Sequence, residues 1–222
     1  MDMTAEFPWC VYLSLKHRTD RRAALLPRLQ GARILADWFP ATDGRDLRGG
    51  ARGFLSAGRR ALALTLRRVL REAERRRAAA VFILQDDAVF HPDFARVAAA
   101  LALPADWGML YFGCQHIETP ARHSPGVVRV RRALDAHAVA VRARWFHRVR
   151  RMLCEGGKRT AGGAYPDMQM AKLHGEIPTY AAFPNLVWQD EGWSDLMQRR
   201  CGNYDPDGGQ RLWREVVRPL AP

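Results

Sequence analysis

Two adjacent carboxylates, Asp86 and Asp87, follow the apolar run Val81-Phe82-Ile83-Leu84. Four consecutive apolar residues read as a strand buried on both faces, so the acids stand where that strand leaves the core. Ligands of open α/β sheets bind outside the carboxyl ends of strands, and paired oxygen donors there suit a divalent cation and the phosphate it bridges. The other reading is a polar turn before a helix started by His91-Pro92-Asp93. The local residues leave both open.

Further chemistry-bearing residues recur at the ends of apolar segments. Arg21 and Arg22 follow Thr19-Asp20 ahead of a helix expected to begin near Ala23, where free N–H groups attract phosphate; the alternative is a Thr or Asp cap with solvated arginines. Asp43, in Thr42-Asp43-Gly44, either hydrogen-bonds a ribose or base or shapes a turn. Ser56 reads as a helix cap, because no strained nucleophile elbow surrounds it. His137 is an acceptor-site ligand or a satisfied core histidine. Asp167, after Pro166, is a general base or an N-terminal cap, and Gly156-Gly157 with Gly162-Gly163 ahead of it suit a substrate lid. Gln189 and Asp195 lie in a polar exit flanked by Trp188 and Trp193.

These residues need a frame. Apolar segments at 7–15, 34–41, 81–84, 106–113, 127–130, 135–141 and 179–184 read as strands, with 127–130 as an edge strand. Helical patterns fall near 23, at 57–77, 92–103 and 143–153, and briefly after 165. The alternation predicts an α/β fold, a mostly parallel twisted sheet with helices on both faces. A chain of 222 residues without a low-complexity linker reads as one domain, 1–222. The glycines at 49–58 match neither a Walker loop nor a dinucleotide fingerprint.

Lys plus Arg total 35 against 23 acids, a net charge of +12. Anionic partners are therefore favoured: nucleic acid, a lipid surface, or phosphorylated small molecules. Arg67-Arg68, Arg71 and Arg75-Arg76-Arg77 read first as a solvated helix face, though such clusters also suit a peripheral membrane contact. Cys10, Cys114, Cys154 and Cys201 include no Cys-x-x-Cys pair, so they read as reduced thiols rather than a zinc site. Neither a signal-peptide pattern nor a spanning apolar run is present, and the expected location is the cytoplasm or the inner face of the membrane.

In order along the chain, several short motifs resemble glycosyltransferase family 25, which includes lipopolysaccharide-modifying and collagen galactosyltransferases. Val11-Tyr12-Leu13-Ser14-Leu15 with Arg18-Thr19-Asp20-Arg21-Arg22 resembles the family's opening strand and Asp-Arg turn. Phe39-Pro40-Ala41-Thr42-Asp43-Gly44 resembles its Ala-x-Asp-Gly segment, and Gly53-Phe54-Leu55-Ser56 its Gly-x-x-Ser-His helix entry. Ile83-Leu84-Gln85-Asp86-Asp87 resembles Leu-Glu-Asp-Asp, and His137-Ala138 the His-Ala-Tyr strand. Pro166-Asp167 resembles a Val-Asp acid, and Gln189 with Ser194-Asp195 a Gln…Ser-Asp signature. Gln85 and Ala57 depart from the family's Glu and His.

The resemblance implies a GT-A-like (Rossmann-like) fold, with a donor-binding half at about 7–115, an acceptor-side half at about 116–200 and a tail at 201–222. It implies transfer of a hexose, galactose among the candidates, from a UDP-sugar to a hydroxyl of lipopolysaccharide or another surface or lipid-linked glycan, with inversion. Asp86 and Asp87 would hold Mn²⁺ or Mg²⁺, and Asp167 would serve as base. Arg21, Arg22, Asp43, Ser56, Gln85, His137, Gln189 and Asp195 would contact the donor or its surroundings. The alternatives are a catalytically silent relative that binds nucleotide or glycan only, favoured by Gln85 and Ala57, and a basic nucleic-acid-binding module. Against the latter, aromatic residues do not alternate with the basic ones.

Overall fold

The computed structural model describes residues 6–47, 54–159 and 165–202. The chain begins with β1 (Trp9–Ser14), α1 (Thr19–Gly31), β2 (Asp37–Pro40) and a 3-10 turn at Gly44–Asp46. Next come α2 (Phe54–Arg75), β3 (Ala80–Gln85), β4 (Ala88–Phe90), α3 (Phe94–Ala100) and β5 (Met109–Glu118). After β6 (Ala121–Ser124), β7 (Val127–Arg129) and β8 (Arg132–Arg142) follow α4 (Ala143–Arg159), α5 (Pro166–Ala171) and β9 (Thr179–Ala182). Three short strands close the described chain: β10 (Val187–Gln189), β11 (Gly192–Ser194) and β12 (Arg199–Cys201).

Eight strands form one sheet in the order β2-β1-β3-β8-β5-β9-β7-β6. Only β8 and β7 run against the other six, so the sheet is mixed but mostly parallel. This is the single-domain α/β architecture expected from the alternation of elements, with the Rossmann-like, GT-A-like form that the resemblance implies. The reason lies in β3. Val81 and Ile83 enter the core beneath α2 and α4, while Phe82 and Leu84 enter the opposite core beneath α1 and α3. A strand apolar on both sides has to be covered twice. On α2 the stripe Leu66, Val69, Leu70 and Ala73 supplies one cover, and Leu25 and Leu29 of α1 help to supply the other.

Several boundaries differ from expectation. Helix α1 starts at Thr19 rather than near Ala23, with Asp20 in its positive first turn, so Arg21 and Arg22 are helical residues. The acids after β3 do not lead into a helix; they turn the chain into β4, which pairs with β10. The expected edge strand is interior, since β7 lies between β9 and β6, and the segment around Arg122 forms the true edge. Among the described residues, no helix is long and apolar enough to cross a membrane.

Candidate active-site cleft

A cleft of about 610 Å³ opens at the carboxyl ends of β1 and β3. Strand β8 runs the other way, so its amino-terminal part brings Asp135 and Ala136 to the same edge. The first described turns of α2 contribute Gly58, Ala61 and Leu62, and the start of α5 contributes Tyr165 and Asp167. The segment from Gln189 to Gly202 covers the remaining side. Six aspartates line this space (43, 86, 87, 135, 167 and 195) against two arginines, 21 and 199. A strongly basic protein therefore holds an acidic cleft.

At its floor, Arg21 Nη1 donates to Asp86 Oδ1 at 2.8 Å and lies 3.5 Å from Asp87 Oδ2. Arg21 Nη2 donates to the Trp193 carbonyl at 2.8 Å. One guanidinium thus bridges the acid pair, offsetting part of its charge, and ties down the covering segment. Burial pushes the Asp87 carboxyl above its ordinary value, and Arg21 opposes that shift. Asp87 Oδ1 is buried with no hydrogen-bond partner. Such an oxygen is normally satisfied, so its bareness marks a place for a cation or polar ligand.

Arg18, just ahead of α1, and Arg28 within it hold the covering segment at two more points. Arg18 pairs with Asp195 and Asp20, and Arg28 Nη2 lies 2.5 Å from Asp190 Oδ2. Across the cleft, Arg59 Nη2 is 2.5 Å from the Tyr165 hydroxyl, which donates to Met197 Sδ at 3.3 Å.

Asp43 accepts from the Arg45 backbone N–H at 2.9 Å and starts the 3-10 turn. The Arg45 guanidinium, hydrogen-bonded to it, holds the Asp43 carboxyl below its usual range. Its loop is pinned to α2 by the Thr42 N–H donating to Thr65 Oγ1 at 2.9 Å. A Cβ on Gly44 would stand 2.9 Å from the Gly58 nitrogen, so only glycine permits that approach. Asp167 Oδ1 accepts from the Met168 N–H at 2.8 Å, and Oδ2 from the Asp135 N–H at 3.2 Å.

The cleft gathers eight of the residues singled out in the sequence: Arg21, Asp43, Gln85, Asp86, Asp87, Asp167, Gln189 and Asp195. Two other candidates fall elsewhere. Arg22 donates to the carbonyls of Leu15 at 2.7 Å and Lys16 at 3.0 Å and stacks on Trp38, so it braces the turn after β1 and does not line the cleft. His137 is 1% exposed, and its Nε2 lies 3.1 Å from the Val187 carbonyl, behind the cleft wall. A carbonyl only accepts, so Nε2 carries the proton. The side chain of Ser56 lies outside the described residues; of the expected lid, Gly156-Gly157 fall within helix α4 rather than in a loop, and Gly162-Gly163 lie outside the described residues.

Asp135 was not singled out by the sequence reading. Its backbone φ of 67° lies in the left-handed region, where a non-glycine residue is strained, and its N–H holds Asp167. The available signal was its place just ahead of His137-Ala138 in a chain whose other landmarks follow strand ends.

No protein-family model and no curated protein matches the chain. Among solved structures it is similar to a glycosyltransferase involved in glycosylation of the major capsid of PBCV-1, with TM-score 0.48 and 10% identity over 86% of this chain and 97% of that one. It is similar to A197 from STIV, with TM-score 0.44 and 13% identity over 89% and 95%. It is also similar to mannose-1-phosphate geranyltransferase from Thermus thermophilus, with TM-score 0.36 and 12% identity over 97% and 66%. With TM-scores below 0.5, none of these likenesses bears on function.

Proposed function

We propose that the chain is a glycosyltransferase that moves a hexose from a UDP-sugar to a hydroxyl of a glycan or lipid-linked glycan, such as a lipopolysaccharide. The observation that carries this reading is the bare, buried Asp87 Oδ1 beside Asp86 at the carboxyl edge of β3, in a cleft of about 610 Å³. Sugar hydroxyls find acceptors in the lining carboxylates and amides. A diphosphate, by contrast, would be repelled by six aspartates unless a cation came with it.

The donor set fits Mn²⁺ or Mg²⁺: two adjacent carboxylates, one with an unsatisfied oxygen, and room for phosphate and water oxygens. Asp86 and Asp87 would hold the ion. When bound, it would supply Lewis-acid neutralisation of the departing nucleotide diphosphate. Among the described residues, no group of three or more His, Cys, Asp or Glu forms a closed cage, so these two acids are the protein's share.

Asp167, held by two backbone N–H groups, takes the proton of the acceptor hydroxyl as its oxygen bonds to the anomeric carbon and the bond to the diphosphate breaks. Attack from the face opposite the leaving group inverts the centre. Asp43 accepts from the ribose, Gln85 and Gln189 orient donor hydroxyls, and Arg21 balances charge at the acid pair. A second reading, nucleotide or glycan binding without transfer, is favoured by one observation: Arg21 already pairs with both Asp86 and Asp87, where a cation would sit.

Purified protein would be incubated with a panel of UDP-sugars and Mn²⁺, reading UDP release and product mass, alongside thermal shifts with UDP with and without Mn²⁺. Metal-dependent stabilisation with turnover supports transfer. Stabilisation without turnover moves the conclusion to the binding-only reading, and neither result abandons both.

A further inference from the structure

Positive charge is concentrated on one side of the sheet. Residues 57–75 of α2 and 143–153 of α4, packed side by side, carry ten arginines and two glutamates. That is most of the chain's net +12. The helices of the opposite layer, α1 and α3, carry four arginines and one aspartate. Helical spacing puts Arg60, Arg67 and Arg71 on the outer stripe of α2, opposite its buried stripe, and Arg144 and Arg151 on that of α4, where Arg148 is paired with Glu176. Glu72 and Glu74 are already engaged by Arg75, Arg76 and Arg150. Among the described residues, no carboxylate pairs with Arg67, Arg71 or Arg144.

We propose that this outer face of α2 and α4 docks the chain on an anionic phospholipid bilayer, with the cleft opening at its edge. The shape suits a plane: two neighbouring helices, the longer of 22 residues and about 33 Å, lie flat on the sheet. The first described turns of α2 also line the cleft through Gly58, Ala61 and Leu62, so the basic face and the site share one border. The exposed large apolar side chains Leu26, Leu35, Trp38, Ile117, Met168 and Trp193 all lie off these helices. Among the described residues, contact is therefore electrostatic and without insertion, and no exposed aromatic platform for single-stranded nucleic acid lies there. The choice of a bilayer over nucleic acid rests on the transferase reading, because a lipid-linked acceptor would arrive at that shared border.

Co-sedimentation with vesicles of phosphatidylcholine, with and without about 30 mol % phosphatidylglycerol, tests the proposal at low and high salt. Binding is expected only to the anionic vesicles and is lost at high salt. Each arginine removed from the face should weaken partition about fivefold, so Arg67→Gln with Arg71→Gln should weaken it roughly 25-fold. Arg67→Lys with Arg71→Lys should bind as the parent does. Arg96→Gln with Arg122→Gln, which removes equal charge from other surfaces, should change binding little. Melting temperatures of all variants establish folding. The proposal is overturned if the parent ignores anionic vesicles, if both Gln pairs lose binding equally, or if random-sequence RNA at equal phosphate displaces the protein from vesicles. Vesicle binding without UDP-sugar turnover leaves this surface standing and sinks the transferase reading; turnover without vesicle binding does the reverse.

Discussion

Arg21 and Asp86, 65 positions apart in sequence, meet at 2.8 Å on the floor of the cleft. The arginine comes from the first turn of α1 and the acid from the end of β3, so the pair exists only because β1 and β3 lie side by side. Removing the guanidinium leaves two neighbouring carboxylates without their cation. Arg21→Ala should cost about 2 kcal/mol, a fall in Tm of roughly 4 to 8 °C without metal. Added Mn²⁺ should restore more of that loss than it adds to the parent, as calorimetric scans with and without metal would reveal. An equal metal shift in both proteins would mean that Arg21 and the cation do not share a site.

Asp87→Asn keeps size and removes charge at the bare oxygen. UDP-sugar turnover should fall about 100-fold or more at saturating Mn²⁺, while the metal-free Tm stays level or rises, because burial disfavours the ionised carboxylate. Unchanged turnover would remove Asp87 from the mechanism.

For Asp167, base and helix-end brace predict different measurements. Asp167→Asn retains one acceptor for the N–H groups of Met168 and Asp135, so the stability cost should be under about 1 kcal/mol. As base, its loss should lower kcat about 100-fold or more with KM for the donor little changed. A drop in Tm with normal kcat would leave only the brace.

Gly113 lets the cleft wall close. A Cβ there would stand 2.0 Å from the Val187 carbonyl oxygen and 2.5 Å from His137 Nε2. Both neighbours are fixed, one as backbone and the other as a buried ring, so Gly113→Ala should destabilise by about 2 to 3 kcal/mol in urea unfolding.

Burial pushes the His116 and His174 imidazoles down from 6.5 to about 4. The Ala133 N–H donates to His174 Nδ1 at 3.3 Å, so its proton sits on Nε2, facing the Tyr111 hydroxyl. A base with a depressed folded pKa binds its proton more readily when unfolded. These rings therefore contribute fully above pH 6.5, and the contribution fades between about 6.5 and 4, by roughly 3 kcal/mol per ring. Urea midpoints should fall steadily over that window, and less steeply in His116→Asn.

Much of the frame was legible because hydrophobic periodicity is a local property. The run 81–84 and the α2 stripe announced a doubly covered strand and its covering helix, and both formed. Boundaries were less legible. The start of α1 at Thr19 depends on Asp20 at the helix's positive end, and the place of β7 inside the sheet depends on pairing with a strand more than fifty residues later. For the site, motif order led to eight of the cleft's residues. Arg22 and His137 had the right types in the right order, yet one braces a turn and the other packs on Gly113.

The sequence by itself determined that Asp86 and Asp87 end a buried strand, since side-chain chemistry and period are written in neighbouring residues. Only the tertiary structure decided that Arg21 stands between those acids and the segment at Trp193, that Asp135 supports Asp167, and that positive charge gathers on α2 and α4 while the cleft stays acidic. Those relations join residues far apart in the chain, and they follow from strand order and helix facing, which no local pattern encodes.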